Sequence, residues 1–337
     1  MLLSSLALTL ILAQAQPATP PPAAPQPRVA ATTSQKAPGG VAVQVALDRA
    51  GFSPGVIDGN VGASTKKALT AYREANGGDP QPGEALTGYE ITQADVTGPY
   101  EPQIPSELPD QAKLKALAYK DVTEALAERF HTTPAFLKKV NPTAKFVAGE
   151  QIAVPNVEPL QIPAEGQTKT EPAPTEKPAR GSKPQPQQQK PVGTASGAAK
   201  PDVVVTVTKS LSALTVTDAS GKTLLYAPVT TGSEHDPLPL GEWKVNGVTW
   251  NPPFRYNPDL FWDADPSHDK ALIKPGPNNP VGLVWIDLSK EHYGIHGSPE
   301  PSTIGRTQSH GCVRLTNWDA VKLANLVKPG TKVVFKE

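Results

Sequence analysis

Residues 159–201 set the first limit on how this chain can fold. The stretch is built from Pro, Gln, Lys and Ala, as in Lys183-Pro184-Gln185-Pro186-Gln187-Gln188-Gln189-Lys190-Pro191, and it holds no aromatic residue. A segment of that kind buries too little apolar surface to offset the entropy of ordering, so it reads as an extended spacer. The 337 residues suit about two domains on length alone, and the spacer puts a boundary between them. Two more stretches read as linkers. Residues 16–40 are Pro-rich (Pro17, Pro20 to Pro22, Pro25, Pro27), and residues 79–117 carry scattered Pro and Gly with little periodicity. The 39 prolines of the chain are about twice ordinary usage, which favours modules joined by linkers over one body.

The chain begins with a short apolar run, Leu6-Ala7-Leu8-Thr9-Leu10-Ile11-Leu12, followed by Ala13-Gln14-Ala15. A spanning helix needs about 20 apolar residues, so the expectation is a cleavable signal over 1–15, cut after Ala15. No Lys or Arg precedes the run. A buried N-terminal helix is the alternative, but the proline stretch behind it gives that helix nothing to pack on. Export to the periplasm or cell wall is therefore expected, with no stable membrane anchor after cleavage. The single Cys, Cys312, allows no internal disulfide and no lipid attachment behind the signal. With 32 basic and 32 acidic residues the formal net charge is zero, which argues against nucleic acid as a partner.

Residues 41–78 read as two short helices around a glycine-rich turn, with Val43, Leu47 and Ala50 at helical spacing and Ser64 as a helix cap. Gln44, Leu47, Gly51, Gly55, Asp58, Gly59, Gly62, Thr65 and Tyr72 fall in an order that resembles the small all-α peptidoglycan-binding domain. The glycines and Asp58 are expected to hold the turn. Residues 118–158 give a helix stripe (Val122, Leu126, Phe130), a second helix opened by Thr133-Pro134, and a closing strand at Gly149–Pro155. With Leu137 and Asn141 this order resembles a small α+β LysM module, though no opening strand is visible within it. Glycan binding and a purely packing role both stay open. If the modules hang on linkers, deleting 41–157 should weaken peptidoglycan binding and leave the chemistry of the rest of the chain intact.

From residue 202 the pattern changes to period two. Strands are expected at 203–208, 214–217, 223–229, 242–245, 283–287, 293–296 and 332–335, and one late helix is capped by Thr316 and stopped by Pro329-Gly330. All five Trp lie beyond position 242, so much of the aromatic core belongs here. The fold class is a multidomain chain ending in a mostly-β sandwich or barrel-like domain over 202–337. The loop from Trp250 to Asp265 looks too irregular for a regular element and is a candidate lid, with packing the simpler role for Trp250 and Trp262.

The chemistry is concentrated in Ile295-His296-Gly297 and Ser309-His310-Gly311-Cys312-Val313-Arg314-Leu315. A thiol attacks only as thiolate, and an imidazole nearby can take its proton to leave a thiolate–imidazolium pair. Gly311 removes bulk beside the thiol, so backbone N–H groups there can face an oxyanion. Arg314 shares a side with Cys312 if the stretch is extended, which suits a substrate carboxylate. A buried, inert Cys and a zinc site are the competing readings. The zinc site lacks a second Cys or a well-spaced carboxylate.

These two segments, with Gly276-Pro277-Asn278-Asn279-Pro280-Val281-Gly282 and Trp285-Ile286-Asp287-Leu288 upstream, resemble the L,D-transpeptidase catalytic domain of the YkuD family over about 202–337. The resemblance implies Cys312 as the acylated nucleophile and His296 as its proton acceptor, oriented by the backbone carbonyl of Gly297. It implies that His310 and Gly311 shape the site and its oxyanion hole. Arg314 and Ser309 fall at positions around the substrate. Leu238-Pro239-Leu240-Gly241 stands where the family has Thr-Pro-x-Gly. The implied partners are peptidoglycan stem peptides and glycan strands, with carbapenems as covalent ligands and no metal or organic cofactor. The implied reaction is 3→3 crosslinking. Water, a protein lysine or a free D-amino acid as acceptor remains open, as does an inert wall-binding protein. His131, His235, His268 and His292 are expected to be structural.

Overall fold

The computed structural model describes residues 39–162 and 200–337. The expected signal over 1–15, nearly all of the 16–40 linker and most of the 159–201 spacer lie outside the described residues. The N-terminal part begins with α1 (Val41–Arg49) and α2 (Ala63–Asn76). Gly62, not Ser64, occupies the cap position of α2. Between the helices, the buried Gln44 carboxamide organises the turn: Oε1 accepts from the N–H groups of Asp58 and Gly59, and Nε2 donates to Asp58 and to the Asn60 carbonyl.

The stretch 79–117 is not a spacer. It contains β1 (Leu86–Glu90), α3 (Gln93–Thr97) and α4 (Leu108–Gln111). After it come α5 (Val122–Arg129), α6 (Pro134–Val140) and β2 (Gln151–Pro155). The β1 strand pairs antiparallel with β2, from Leu86 opposite Pro155 to Glu90 opposite Gln151. The sequence conceals β1 because Gly88 and the flanking prolines break its alternation, yet Tyr89 and Ile91 point into the core. That core is continuous: Val41, Val45 and Ile57 from the first helical pair cluster with Tyr89, Leu126, Phe130 and Leu137. Residues 41–157 therefore form one body, not two modules on a linker.

The C-terminal domain supplies β3 (Val203–Thr208), β4 (Ala213–Asp218), β5 (Thr223–Pro228), β6 (Gly241–Trp250), β7 (Phe254–Tyr256), β8 (Ala271–Ile273), β9 (Val284–Leu288), β10 (Gly294–His296), β11 (Val313–Arg314), α7 (Asn317–Leu326) and β12 (Lys332–Lys336). In β3 the valines at 203, 205 and 207 are buried while their neighbours are half-exposed, the period-two signature of a sheet with one face on the core. Eight strands form one sheet in the order β11-β10-β9-β6-β12-β3-β4-β5. Its ends nearly meet, because Thr230 just past β5 and Arg314 in β11 exchange backbone hydrogen bonds of 3.1 and 2.9 Å. A sandwich of two sheets was one expectation. What forms is a mostly-β single sheet curled toward a barrel, with α7 against it.

The loop from Trp250 to Asp265, expected to lack regular structure, carries β7 and a short 3-10 turn at Pro258–Leu260, and β7 pairs with β8 beyond the loop. The late helix starts as the sequence indicates, with the Thr316 hydroxyl accepting from the Asp319 N–H.

The two bodies dock along α7. Phe52 bridges to Tyr226 in β5, and the His131 ring stacks on the fully buried Trp318 at 5.3 Å. Ser53 donates to the Asp319 carboxylate at 2.7 Å, while Lys322 reaches both Asp48 oxygens at 3.1 Å. Burial alone would raise the Asp48 carboxyl, but His131 and Lys322 outweigh it and hold Asp48 well below the usual carboxylate range. Removing one partner would leave a buried charge uncompensated, so this interface is built to stay closed.

Candidate active site

Parallel pairing of β10 with β11 sets Ile295 opposite Val313 and His296 opposite Arg314. Side chains opposite one another in a ladder share a face, so the imidazole and the guanidinium sit together. Cys312 comes one residue before β11 and is half-buried. Its thiol points toward the His292 carbonyl at 3.9 Å. All three side chains line one cleft of about 770 Å³.

The His296 ring is buried and stacks on Trp285 at 5.4 Å. Nδ1 lies 2.7 Å from the Gly297 carbonyl. A carbonyl only accepts, so Nδ1 carries the proton and Nε2 the lone pair. Burial, then the charge of Arg314, pushes the imidazole down to about 3 despite the Gly297 hydrogen bond. Burial also pushes the Cys312 thiol up, and the Gly294 backbone N–H and Arg314 only partly oppose it. The resting groups are therefore neutral thiol and neutral imidazole. The thiolate–imidazolium pair expected from the sequence is not the resting state, and no hydrogen bond joins the two side chains among the described residues. Desolvation wins because each group would have to charge inside a low-dielectric cleft.

The neighbouring motif residues hold this geometry. Gly311 is buried with φ +102°, and a Cβ there would come within 2.8 Å of the Tyr293 ring. Only glycine meets both demands. The Ser309 hydroxyl donates to the Cys312 carbonyl at 2.6 Å, which fixes the turn presenting the thiol and leaves that hydroxyl occupied. His310 lines the same cleft and is held by the loop over it: Nε2 lies 2.7 Å from Asp263, and the ring meets Phe261 edge-on at 5.0 Å. Arg314 is half-buried and has no close ion pair among the described residues.

Several contributors were not visible in the sequence. The N-terminal body forms part of the cleft wall through Ser106, Glu107 and Leu108. Leu117 of that body and Tyr256 and Ile273 of the β7–β8 hairpin share a small apolar cluster. His235, expected only in a loop, stacks on the exposed Trp262 at 4.3 Å. His268 bonds Tyr256 at 3.1 Å, and His292 sits at φ +64° outside β10. His292 therefore does not share a strand face with His296.

Comparison with known proteins agrees with this domain. A "Putative L,D-transpeptidase YkuD" of Bacillus licheniformis is 50% identical over 60 residues, covering 18% of this chain and 36% of that protein. A "Probable L,D-transpeptidase YbiS" of Escherichia coli is 33% identical over 118 residues, covering 34% of this chain and 38% of that one. The chain thus spans little more than a third of the length of these relatives. A solved L,D-transpeptidase 3 from Mycobacterium tuberculosis, in complex with a faropenem-derived adduct, aligns at TM-score 0.34 and 20% identity over 41% of this chain and 61% of that one. That overlap is too low to add weight. The family model described as the L,D-transpeptidase catalytic domain, YkuD, matches residues 202–335, and it is this domain, with its curled sheet and its Cys312 cleft, that the likeness describes.

Proposed function

We propose that residues 202–337 are the catalytic part of an exported L,D-transpeptidase acting on peptidoglycan stem peptides. One observation carries the reading: Cys312, His296 and Arg314 are brought by β10 and β11 to the wall of a single cleft. Arg314 draws the stem carboxylate into the site, where desolvation strengthens the attraction. As the Cys312 sulfur attacks the carbonyl before the terminal D-Ala, its proton passes to His296 Nε2. The N–H groups of Gly311 and Cys312 are the donors we assign to the developing oxyanion. The C–N bond breaks, His296 returns the proton to the leaving D-Ala amine, and a thioester remains on Cys312. An acceptor amine then attacks, its proton goes to His296, and the new amide releases the sulfur, which recovers that proton. With a stem side-chain amine as acceptor the product is a 3→3 crosslink. A carbapenem carbonyl would be taken by the same sulfur.

The neutral pair makes His296 a general base that acts during attack, not a group that arms the thiol beforehand. The N-terminal body is proposed to contact glycan strands and hold the polymer near the cleft, raising the local stem concentration.

The test is incubation with defined disaccharide-tetrapeptides followed by product mass. Crosslinked dimers with one D-Ala lost per event support the reading. Tripeptide alone would make water the acceptor, D-amino-acid exchange or a peptide attached through a protein lysine would give those acceptors, and unchanged substrate would refute the enzyme.

A further inference from the structure

Polymer holding does not exhaust what the N-terminal body contributes. Resting on the reading of His296 and Cys312 as the reacting pair, we infer that Glu128 of that body is a positioning residue for His296, acting through Asn317. Asn317 opens α7, directly after the Cys312 motif, and is fully buried. Its Oδ1 accepts from the Leu283 N–H at 3.0 Å. The same oxygen is wedged against two glycines: a Cβ on Gly297 or Gly282 would fall 2.2 or 2.0 Å from it. Gly297 is the residue whose carbonyl holds His296 Nδ1. On the other side, Asn317 Nδ2 donates to Glu128 Oε1 at 3.0 Å and to the Pro277 carbonyl at 3.1 Å. Tyr119 donates to the same Glu128 oxygen at 3.0 Å.

The carboxamide therefore has one orientation. Turning it over would face its NH2 against the Leu283 N–H and present oxygen to two acceptors. Glu128, 189 residues earlier in the chain, supplies one of the acceptors that fix it. Without that acceptor a buried donor is unpaired, and the side chain must move to recover a partner. The 282–283 and 297 backbone pressed against Oδ1 moves with it, and the Gly297 carbonyl that sets the imidazole goes too. The contact is local to this end of α7. The Ser53–Asp319 bond lies two residues further on and does not touch the glycine pair.

Acylation of the full chain by imipenem, followed by intact mass, tests this in four proteins: wild type, Glu128→Leu, Glu128→Gln and Ser53→Ala. Misplacing a reacting group by a fraction of an ångström to an ångström costs up to about 100-fold. Glu128→Leu is expected to lower the maximal acylation rate at least ten-fold with an unchanged half-saturating concentration. Glu128→Gln keeps an acceptor oxygen and returns the rate to within about two-fold of wild type. Ser53→Ala lowers the melting temperature but acylates at the wild-type rate. A wild-type rate in Glu128→Leu, or equal slowing in Glu128→Leu and Ser53→Ala, overturns the inference. If Glu128→Leu does not fold, Glu128→Ser, too short to reach Asn317, takes its place under the same criteria. If the wild type itself is not acylated, the proposed enzyme falls, and 15N-histidine NMR decides the positioning link alone. A His296 Nδ1–H signal that shifts in the Leu chain and not in the Gln chain supports it, and an unshifted signal in the Leu chain overturns it.

Discussion

Replacing Glu128 by Gln should make the protein more stable at neutral pH and leave it unchanged in mild acid. Glu128 is buried, and burial pushes its carboxyl up from the ordinary 4.5 to about 8 even though Asn317 and Tyr119 donate to it. At pH 7 the unfolded chain holds this group ionised while the folded chain holds it protonated, so folding must take up a proton. A group whose pKa is raised on folding contributes fully below the unfolded value, and that contribution drains away as pH rises toward the folded value. Between 4.5 and neutral pH, at about 1.4 kcal/mol per pH unit, the loss is about 3 kcal/mol. Gln keeps the acceptor for Asn317 and Tyr119 but cannot titrate, so it escapes the loss. Urea unfolding of both full chains from pH 4 to 9 gives a difference curve in which every other titrating group cancels. The variant's advantage should be near zero at pH 4, climb steadily to about pH 8 and then level off. A difference that stays flat across the range would refute the reasoning.

Other outcomes follow from the same geometry. The imipenem acylation rate should stay flat from about pH 5 to 8, because His296 is already neutral above about 3; an acid limb near pH 6.5 would show an imidazole that burial has not lowered and would contradict this. Gly311→Ala should cost about 1–3 kcal/mol of stability, from backbone strain at φ +102°, and should cut acylation through displacement of the Tyr293 ring; unfolding and kinetics like those of wild type would contradict this. Removing residues 39–162 should abolish turnover of a soluble tetrapeptide as well as wall binding, since Trp318 and the Lys322 and Asp319 side chains would lose their buried partners. A truncated domain with full turnover would return the N-terminal body to the role of a detachable anchor.

What the sequence discloses is local. The valine alternation at 203–207, the Thr316 cap and the Thr133-Pro134 helix start are short-range patterns, and each forms where its own residues direct it. The His296, Cys312 and Arg314 motif is local too, because His296 and Arg314 lie on two strands of two or three residues joined by the loop that ends in Cys312. Those strands, like β7 and β8, are too short to show a period and exist only through pairing with neighbours. The β1 strand was hidden among prolines and glycines, and with it the continuity of the N-terminal body. Docking was invisible for a different reason: the contacts Ser53–Asp319 and Asp48–Lys322 span 266 and 274 residues, and no periodicity encodes them. Nor does a motif state its protonation. The neutral resting pair is a consequence of burial, which appears only once the cleft is formed.

The most direct test of the central claim is intact-mass analysis of the full chain mixed with a disaccharide-tetrapeptide. The account predicts a thioester adduct equal to the substrate less its D-Ala, mapped to Cys312 and absent from Cys312→Ala. An adduct that persists in Cys312→Ala, or a wild-type chain that never gains mass while substrate is present in excess, would contradict it.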